Sequence, residues 1–152
     1  EEDPSSFILE EEEIYDVIEI RGKYSVSLDQ FSEIINFSTE NLDLWGYESG
    51  FGAHYVDGNR SFEIMIAKFS TIEGADSTYD SIVENLDRRI KDTRILKVGR
   101  ESRVFMLKDN NYRVIFRESN ILVLIDGEIV SNEIEMYSGI IEDKIHRALR
   151  QR

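Results

Sequence analysis

The sequence contains no cysteine among its 152 residues. That absence excludes a disulfide framework, a zinc site built from thiolates and a cysteine nucleophile, and it leaves the redox compartment open. No run of about 18 apolar residues occurs either, so the sequence predicts no membrane-spanning helix. Histidine is scarce as well, since His54 and His146 are the two in the chain.

Recognisable catalytic and cofactor motifs are also missing. There is no Gly-x-Ser-x-Gly nucleophile elbow, and Gly46, Gly50 and Gly52 are not followed by the Gly-Lys-Ser/Thr of a phosphate-binding loop. The acidic run Glu10–Glu13 lacks the ligand spacing of a calcium loop. We therefore predict no catalytic residue, no cofactor and no metal site. The last helix is expected to carry His146 as an ordinary surface residue.

Acidic residues outnumber basic ones, giving a net charge of −13, and the excess lies near the N-terminus. Residues 1–50 contain 14 acids against Arg21 and Lys23, whereas the remainder of the chain is close to neutral. An acidic first third repels polyanions, so we expect no nucleic-acid partner. An anionic membrane surface is disfavoured for the same reason.

The length and the 41% hydrophobic content predict a single domain over 1–152 that buries a core without disulfides or metals. Residues 1–6 are expected to form a flexible tail. The segment 7–26 is uncertain, because a helix over 10–19 and a strand over 14–20 both fit its apolar spacing. The helix is the favoured interpretation.

Periods of 2 and 3.6 residues in the apolar pattern outline the remaining elements. Ser27 and Gln30 have the spacing of a capping box at the start of a helix. Asp57-Gly58 supplies the positive φ that a tight hairpin turn requires. The elements predicted after Ser27 are a helix, a loop over 36–50, hairpin strands at 51–56 and 61–69, a helix at 72–91, strands at 94–98, 102–108, 112–118 and 121–126, and a helix at 132–150.

This order of elements predicts the α+β class. We expect a two-layer sandwich in which an antiparallel sheet of about five to six strands carries its helices packed on one face. The run ILVLI at 121–125 is apolar on both faces, so its strand should be central in the sheet. The sheet face opposite the helices is then expected to be open.

A first candidate surface is the aromatic stretch around the loop at 36–50. Long loops without a structural period tend to be functional or mobile. A histidine beside several aromatic side chains fits a general base next to a substrate-binding platform. The alternative is structural: a half-buried histidine on a strand, with glycines that permit tight turns around the aromatic side chains, explains the same residues. The predicted ligand-binding residues are Trp45, Tyr47, Phe51, His54 and Tyr55.

A second candidate surface is the open sheet face. Alternation along the strand at 112–118 places Arg113 and Arg117 on one face, and Arg103 on the preceding strand joins them. Such a basic strip is expected to receive the acidic N-terminal segment, another subunit or an anionic ligand. A solvated face with charges for solubility is the alternative.

Two stretches carry a resemblance to a known group of domains. They are FGAHYVDGNRSFEIMIAKFSTIEGADSTY at 51–79 and KVGRESRVFMLKDNNYRVIFRESNILVLI at 97–125. In them a hairpin leads into a helix, and a Val-Gly step begins a meander with a turn at Arg117 and Asn120. The pattern resembles uncharacterised extracytoplasmic α+β domains of prokaryotic envelope proteins, archaeal ones included. It is similar, more loosely, to sandwich domains of bacterial lipoproteins and to kinase sensor ectodomains. The resemblance implies a surface or sensing role.

Our first hypothesis is therefore a non-catalytic, extracytoplasmic binding or interaction module with an unknown protein or small-molecule partner. A start at Glu1 favours a removed signal peptide or membrane anchor, and a shortened cytoplasmic chain has the same appearance. A homo-oligomer formed through the open sheet face is one expected assembly. Two alternatives stay open: an enzyme of unrecognised type that uses His54 with a loop carboxylate such as Glu48, and a cytosolic assembly or scaffold subunit.

Overall fold

The structure is a computed structural model that describes residues 3–14, 18–108, 110–129 and 131–150. Its elements in chain order are 3-10 turns at Pro4–Ser6 and Glu11–Glu13, β1 (Glu19–Val26), α1 (Leu28–Ile35), α2 (Thr39–Leu44), β2 (Tyr47–Asp57), β3 (Arg60–Phe69), α3 (Ile72–Asp87), β4 (Thr93–Arg94), β5 (Glu101–Met106), β6 (Tyr112–Glu118), β7 (Ile121–Gly127) and α4 (Ser131–Arg150). Within these ranges no helix is long and apolar enough to cross a membrane.

The strands form one open antiparallel sheet in the order β1-β2-β3-β7-β6-β5-β4. The α+β class is confirmed, and the apolar strand β7 is central as predicted. The sheet has seven strands rather than five to six, because β1 joins it as an edge strand, and no element was predicted over most of that strand. Where the helix was expected over 10–19, the described residues contain the 3-10 turn Glu11–Glu13 and the first residue of β1. Residues 15–17 of that helix, like residues 1 and 2 of the expected tail, lie outside the described residues.

Helices cover both faces of the sheet, so the predicted arrangement on one face is wrong. Along β7, Ile121, Val123 and Ile125 join the core beneath α4. The intervening Leu122 and Leu124 join a second core with α1, α2 and α3. The physical reason is that β7 is apolar on both sides, and each apolar face needs a covering layer to remove it from water.

The N-terminal segment belongs to the core beneath α4. Phe7, Ile8 and Leu9 are almost fully buried, and Pro4 of the expected tail is buried in a 3-10 turn. The Tyr55 hydroxyl donates to the carbonyl of Leu9 at 2.7 Å. A buried carbonyl needs such a partner, so this bond fixes the segment against β2.

The core under α1–α3 follows from local capping signals. The predicted capping box is confirmed, since the amides of Ser27 and Gln30 bond to each other's side chains at 2.8 and 3.2 Å. The expected loop over 36–50 instead contains α2, because the Ser38 hydroxyl accepts from the Asn41 amide and caps a further helical turn. Thr71 caps α3 through the amide of Gly74.

The hairpin of β2 and β3 is confirmed, with Gly58 at φ 59° in its turn. β2 starts earlier than predicted and is irregular between Tyr47 and Ser49. The strand expected at 94–98 shortens to β4, and its later residues Leu96 and Val98 pack into the core beneath α4.

Candidate functional site

The five aromatic and histidine residues predicted as one site are distributed over both faces of the sheet. Phe51 and Tyr55 point to the α4 side, where Tyr55 stacks on Phe62 at 5.0 Å. Tyr47 lies on the other side, stacked on Phe31 at 5.0 Å, and Trp45 packs edge-on against Phe37. Strand alternation and the irregularity after Tyr47 separate these side chains.

Part of the predicted aromatic stretch does line a depression. A groove of ≈ 450 Å³ lies where the end of β1 meets the start of α1, and its lining includes Tyr47 and Phe51. The Tyr47 hydroxyl, however, donates to the carbonyl of Val26 at 2.5 Å, and burial raises the pKa of this phenol. Tyr47 therefore serves mainly to join β1 to β2.

His54 lies in a line of polar residues that crosses four strands. Strand pairing places His54 opposite Glu63, Glu63 opposite Asp126, and Asp126 opposite Arg113. We call these four residues the polar row. His54 and Arg113 were predicted for two different surfaces, and the structure places both in this row. The row lies on the same face of the sheet as α1, α2 and α3, which cover other parts of that face.

Close contacts connect the members of the polar row. Arg113 donates two hydrogen bonds to Asp126, from Nε to Oδ1 at 2.8 Å and from Nη2 to Oδ2 at 3.0 Å. The hydroxyl of Tyr24 on β1 donates to Oε2 of Glu63 at 2.6 Å. The Nδ1 atom of His54 lies 3.3 Å from Oε1 of Glu63, so the histidine sits beside a carboxylate rather than against backbone.

These contacts offset the repulsion expected between two carboxylates on opposite strands. Burial raises the pKa of Tyr24, and its hydrogen bond to Glu63 raises it further. The phenol therefore stays protonated and remains a donor at neutral pH. Tyr24 on one side and Arg113 on the other thus supply hydrogen-bond donors to the two neighbouring carboxylates, Glu63 and Asp126.

The polar row is open to solvent. The side chain of Glu63 is 51% exposed and that of His54 is 35% exposed. A shallow groove of ≈ 340 Å³ runs along the row, and its lining adds Leu107 and Tyr112. No cover over this end of the sheet exists among the described helices, because α3 packs on the next residues along the strands, such as Met65 and Leu124.

The other two predicted arginines lie under α3 rather than on an open face. Arg117 is buried and bonds Glu101 at 2.9 Å, and it also reaches Asp76 of α3 at 3.5 Å. Arg103 pairs with Asp87 of α3. The predicted shared face of the three arginines is right, but carboxylates from a covering helix occupy two of them.

The cluster around Arg117 is rich in acid. Asp76, Asp80 and Glu101 bring oxygens within 4.8 Å of one another. Burial raises the pKa of Glu101, and a hydrogen bond to Asp76 adds to that rise. The Arg117 guanidinium supplies the counter-charge, so this cluster joins α3 to β5 and β6.

Sequence reasoning missed Tyr24, Glu63 and Asp126. Glu63 and Asp126 do carry a local signal, because each is a charged residue in an otherwise largely apolar strand, on the same face as the buried Met65 and Leu124. Their proximity is invisible in the sequence, since β3 and β7 are neighbours in the sheet and far apart in the chain.

No family model matches the sequence, and no match is found among curated proteins. Among solved structures, the chain is similar to the extracellular domain of PknH from Mycobacterium tuberculosis, with a TM-score of 0.67, 10% identity and 94% of each chain covered. A GTP binding regulator from Thermotoga maritima aligns with a TM-score of 0.43 and 16% identity over 77% of this chain and 88% of that chain. The first likeness shows a shared fold, and it fits the predicted resemblance to extracytoplasmic prokaryotic domains.

Proposed function

We propose that this chain is a non-catalytic extracytoplasmic binding or interaction module, and that its contact surface is the polar-row groove. The observation that carries the proposal is the exposure of the polar row on a sheet whose faces are otherwise covered by helices. A polar row without a covering helix presents charged groups at fixed positions, held by strand pairing. The shared fold with an extracellular domain supports the localisation.

The partner that suits this groove presents a basic group. Glu63, Asp126 and Glu128 line the groove against one cation, Arg113, which is already engaged with Asp126. Glu63 is the most exposed of the paired acids and is therefore the expected anchor for an incoming ammonium or guanidinium group. Leu107, which lines the same groove and is partly exposed, offers apolar contact for the aliphatic part of such a side chain.

A titration followed by ¹H–¹⁵N NMR tests the contact surface. The probe is the acetylated peptide Lys-Gly-Lys-Gly-Lys, and the matching Glu-Gly peptide is the control ligand. We expect the lysine peptide to shift the amide signals of the polar row, and Glu63→Gln to weaken that binding. Glu40→Gln, which removes an exposed acid on α2, should leave it unchanged. Shifts centred elsewhere, or binding unaffected by Glu63→Gln, would refute the assigned surface.

The absence of cysteine allows a direct test of localisation. A Glu33→Cys variant places a single thiol on the exposed side of α1. Expressed in the source cells, it should react with a membrane-impermeant maleimide while the cells are intact. If the thiol is labelled only after the cells are lysed, the extracytoplasmic assignment is contradicted. The proposed contact surface is then still decided by the NMR titration.

A further inference from the structure

A second cluster of chemically active side chains lies on the opposite face of the sheet from the polar row. It consists of Glu118 at the end of β6 and Glu142 and His146 on α4, each of which offers one ligand atom within 4.8 Å of the other two. We propose that this trio is a binding site for a divalent transition-metal ion, with Zn²⁺ as the ion it takes. The sequence predicted no metal site, because the three residues come from two distant segments.

The spacing along α4 suits a metal. Glu142 and His146 are four residues apart, so their side chains lie one above the other on the same helix face. Helical zinc motifs place two ligands at this same spacing. One imidazole nitrogen and two carboxylate oxygens form a donor set that Zn²⁺ accepts, with its fourth position left for water.

The distance between donors also fits the ion. Nε2 of His146 lies 3.3 Å from Oε1 of Glu118. Zinc bonds of about 2.0–2.2 Å in tetrahedral geometry separate neighbouring donors by roughly 3.3–3.5 Å. An ion bound between these two atoms therefore needs little movement of either side chain.

A backbone contact orients Glu142 before any ion arrives. The amide of Gly99 donates to Oε2 of Glu142, joining the loop before β5 to α4. Gly99 adopts φ +64°, and a β-carbon there would lie 2.7 Å from the carbonyl oxygen of Arg117. Glycine permits this close approach, and hydrogen bonds to a ligand's second atom are how proteins orient metal-binding side chains.

The charges around the trio favour a cation. Arg147 pairs with Asp143, and Lys144 pairs with Glu13 at the N-terminal segment. In the described part of the chain, no lysine or arginine forms an ion pair with either carboxylate of the trio. Two of the three ligands are carboxylates, and all three side chains are partly shielded from water, which strengthens their attraction for a cation. By contrast, the acidic cluster on α3 already contains the Arg117 guanidinium.

Calorimetric titration of the chelator-treated, full chain with Zn²⁺ tests the proposal. We expect one ion bound per chain and a rise in thermal midpoint when Zn²⁺ is present. His146→Gln should lower the affinity by about tenfold or more, since it removes a direct ligand. Substitution with Co²⁺ should give visible absorption bands that His146→Gln abolishes.

The second histidine provides the matched control. His54→Gln removes an imidazole on the other face of the sheet and should retain Zn²⁺ binding. Glu142→Gln removes the negative charge of this ligand and keeps an oxygen that can accept the hydrogen bond from the Gly99 amide. The variant therefore tests the contribution of the charge alone, and we expect it to weaken Zn²⁺ binding. Circular dichroism without metal confirms that each variant folds. If His146→Gln or Glu142→Gln does not fold, Glu118→Gln takes its place as the variant that removes a ligand charge.

Absence of stoichiometric binding would overturn the metal site, as would binding that His54→Gln removes and His146→Gln leaves intact. The site shares no residue with the polar row, so either result leaves the proposed contact surface to its own test.

Discussion

The aromatic ring of Tyr24 lies directly over Gly52, its partner on the neighbouring strand. A β-carbon at position 52 would come within 2.6 Å of Cε2 of that ring. The missing side chain lets the ring lie across β2, so that its hydroxyl reaches Glu63 on β3 at 2.6 Å. A glycine thus determines how one end of the polar row is held.

Gly52→Ala should displace Tyr24 and break its bond to Glu63. We expect a loss of about 1–3 kcal/mol in the free energy of unfolding, the usual cost of overpacking. Urea denaturation measures it. Gly22→Ala is the matched control, because a β-carbon at Gly22 meets no atom within 4 Å, and it should be nearly neutral. Equal effects at both positions would contradict this account of Gly52.

Removing the cation of the polar row should expose the repulsion between its two acids. Arg113→Met leaves Asp126 unpaired beside Glu63, and we expect a destabilisation of about 1–2 kcal/mol. Adding Glu63→Gln should restore part of that loss, because one of the two facing charges is then gone. A double-mutant cycle by urea denaturation measures the coupling, and strict additivity would show that the two carboxylates do not interact.

Coverage of both sheet faces predicts that neighbouring residues of β7 contribute similarly to stability. Leu124→Ala opens a cavity on the α3 side and Ile125→Ala opens one on the α4 side. Each should cost about 2–5 kcal/mol. Ile95→Ala, at a site 76% exposed, should cost less than about 0.5 kcal/mol. A small cost for Leu124→Ala would restore the idea of an open face.

The hydrogen bond between Tyr55 and Leu9 should stabilise the docking of the N-terminal segment. Tyr55→Phe leaves the buried carbonyl of Leu9 without its donor, and we expect a loss of about 1–2 kcal/mol. Hydrogen exchange of residues 7–9 should accelerate in this variant. Tyr112→Phe, at a half-buried tyrosine on β6, is the control that should leave that exchange unchanged.

Asp80 should reduce stability as it ionises. Burial and the nearby Asp76 raise its pKa in the folded state above the ordinary value of 3.8, so the folded chain holds this proton more tightly than the unfolded chain. The cost of ionisation is therefore absent well below pH 3.8, grows as the pH rises through the folded pKa, and is complete at pH 7.

Asp80→Asn should consequently have a higher thermal midpoint than the parent at pH 7, with the difference disappearing near pH 3. Thermal denaturation at the two pH values measures it, and Glu40→Gln serves as a control at an acid on α2. A variant less stable than the parent at pH 7 would show that attraction between Asp80 and Arg117 outweighs burial and repulsion from Asp76.

Local chemistry explains where sequence reasoning succeeded. The capping box at Ser27 and the Asp-Gly turn act over three or four residues, so their consequences can be read from neighbouring letters. The amphipathic stripe of α4 is equally local. Of the apolar residues at helical spacing, Ile134, Tyr137, Ile141 and Ile145 are buried, and Ala148 packs partly buried against the same core.

The edge strand β1 shows where local chemistry was insufficient. Its outward side chains alternate with half-buried ones and it pairs on one side, so its apolar signal is weaker than that of β7. The apolar pattern predicted a helix over 10–19 or a strand over 14–20, and neither covers residues 21–26, which make up most of β1. Pairing with β2, a segment about thirty residues away, makes these residues a strand.

The sequence by itself determined the element types with strong periods, the turn and cap chemistry, and the exclusion of thiol-based sites. The tertiary structure alone decided that helices cover both faces, that His54 and Arg113 share the polar row, and that Glu118 meets Glu142 and His146. The physical reason is that strand register and helix docking depend on burying apolar faces from distant segments together, and those contacts have no counterpart in local residue order.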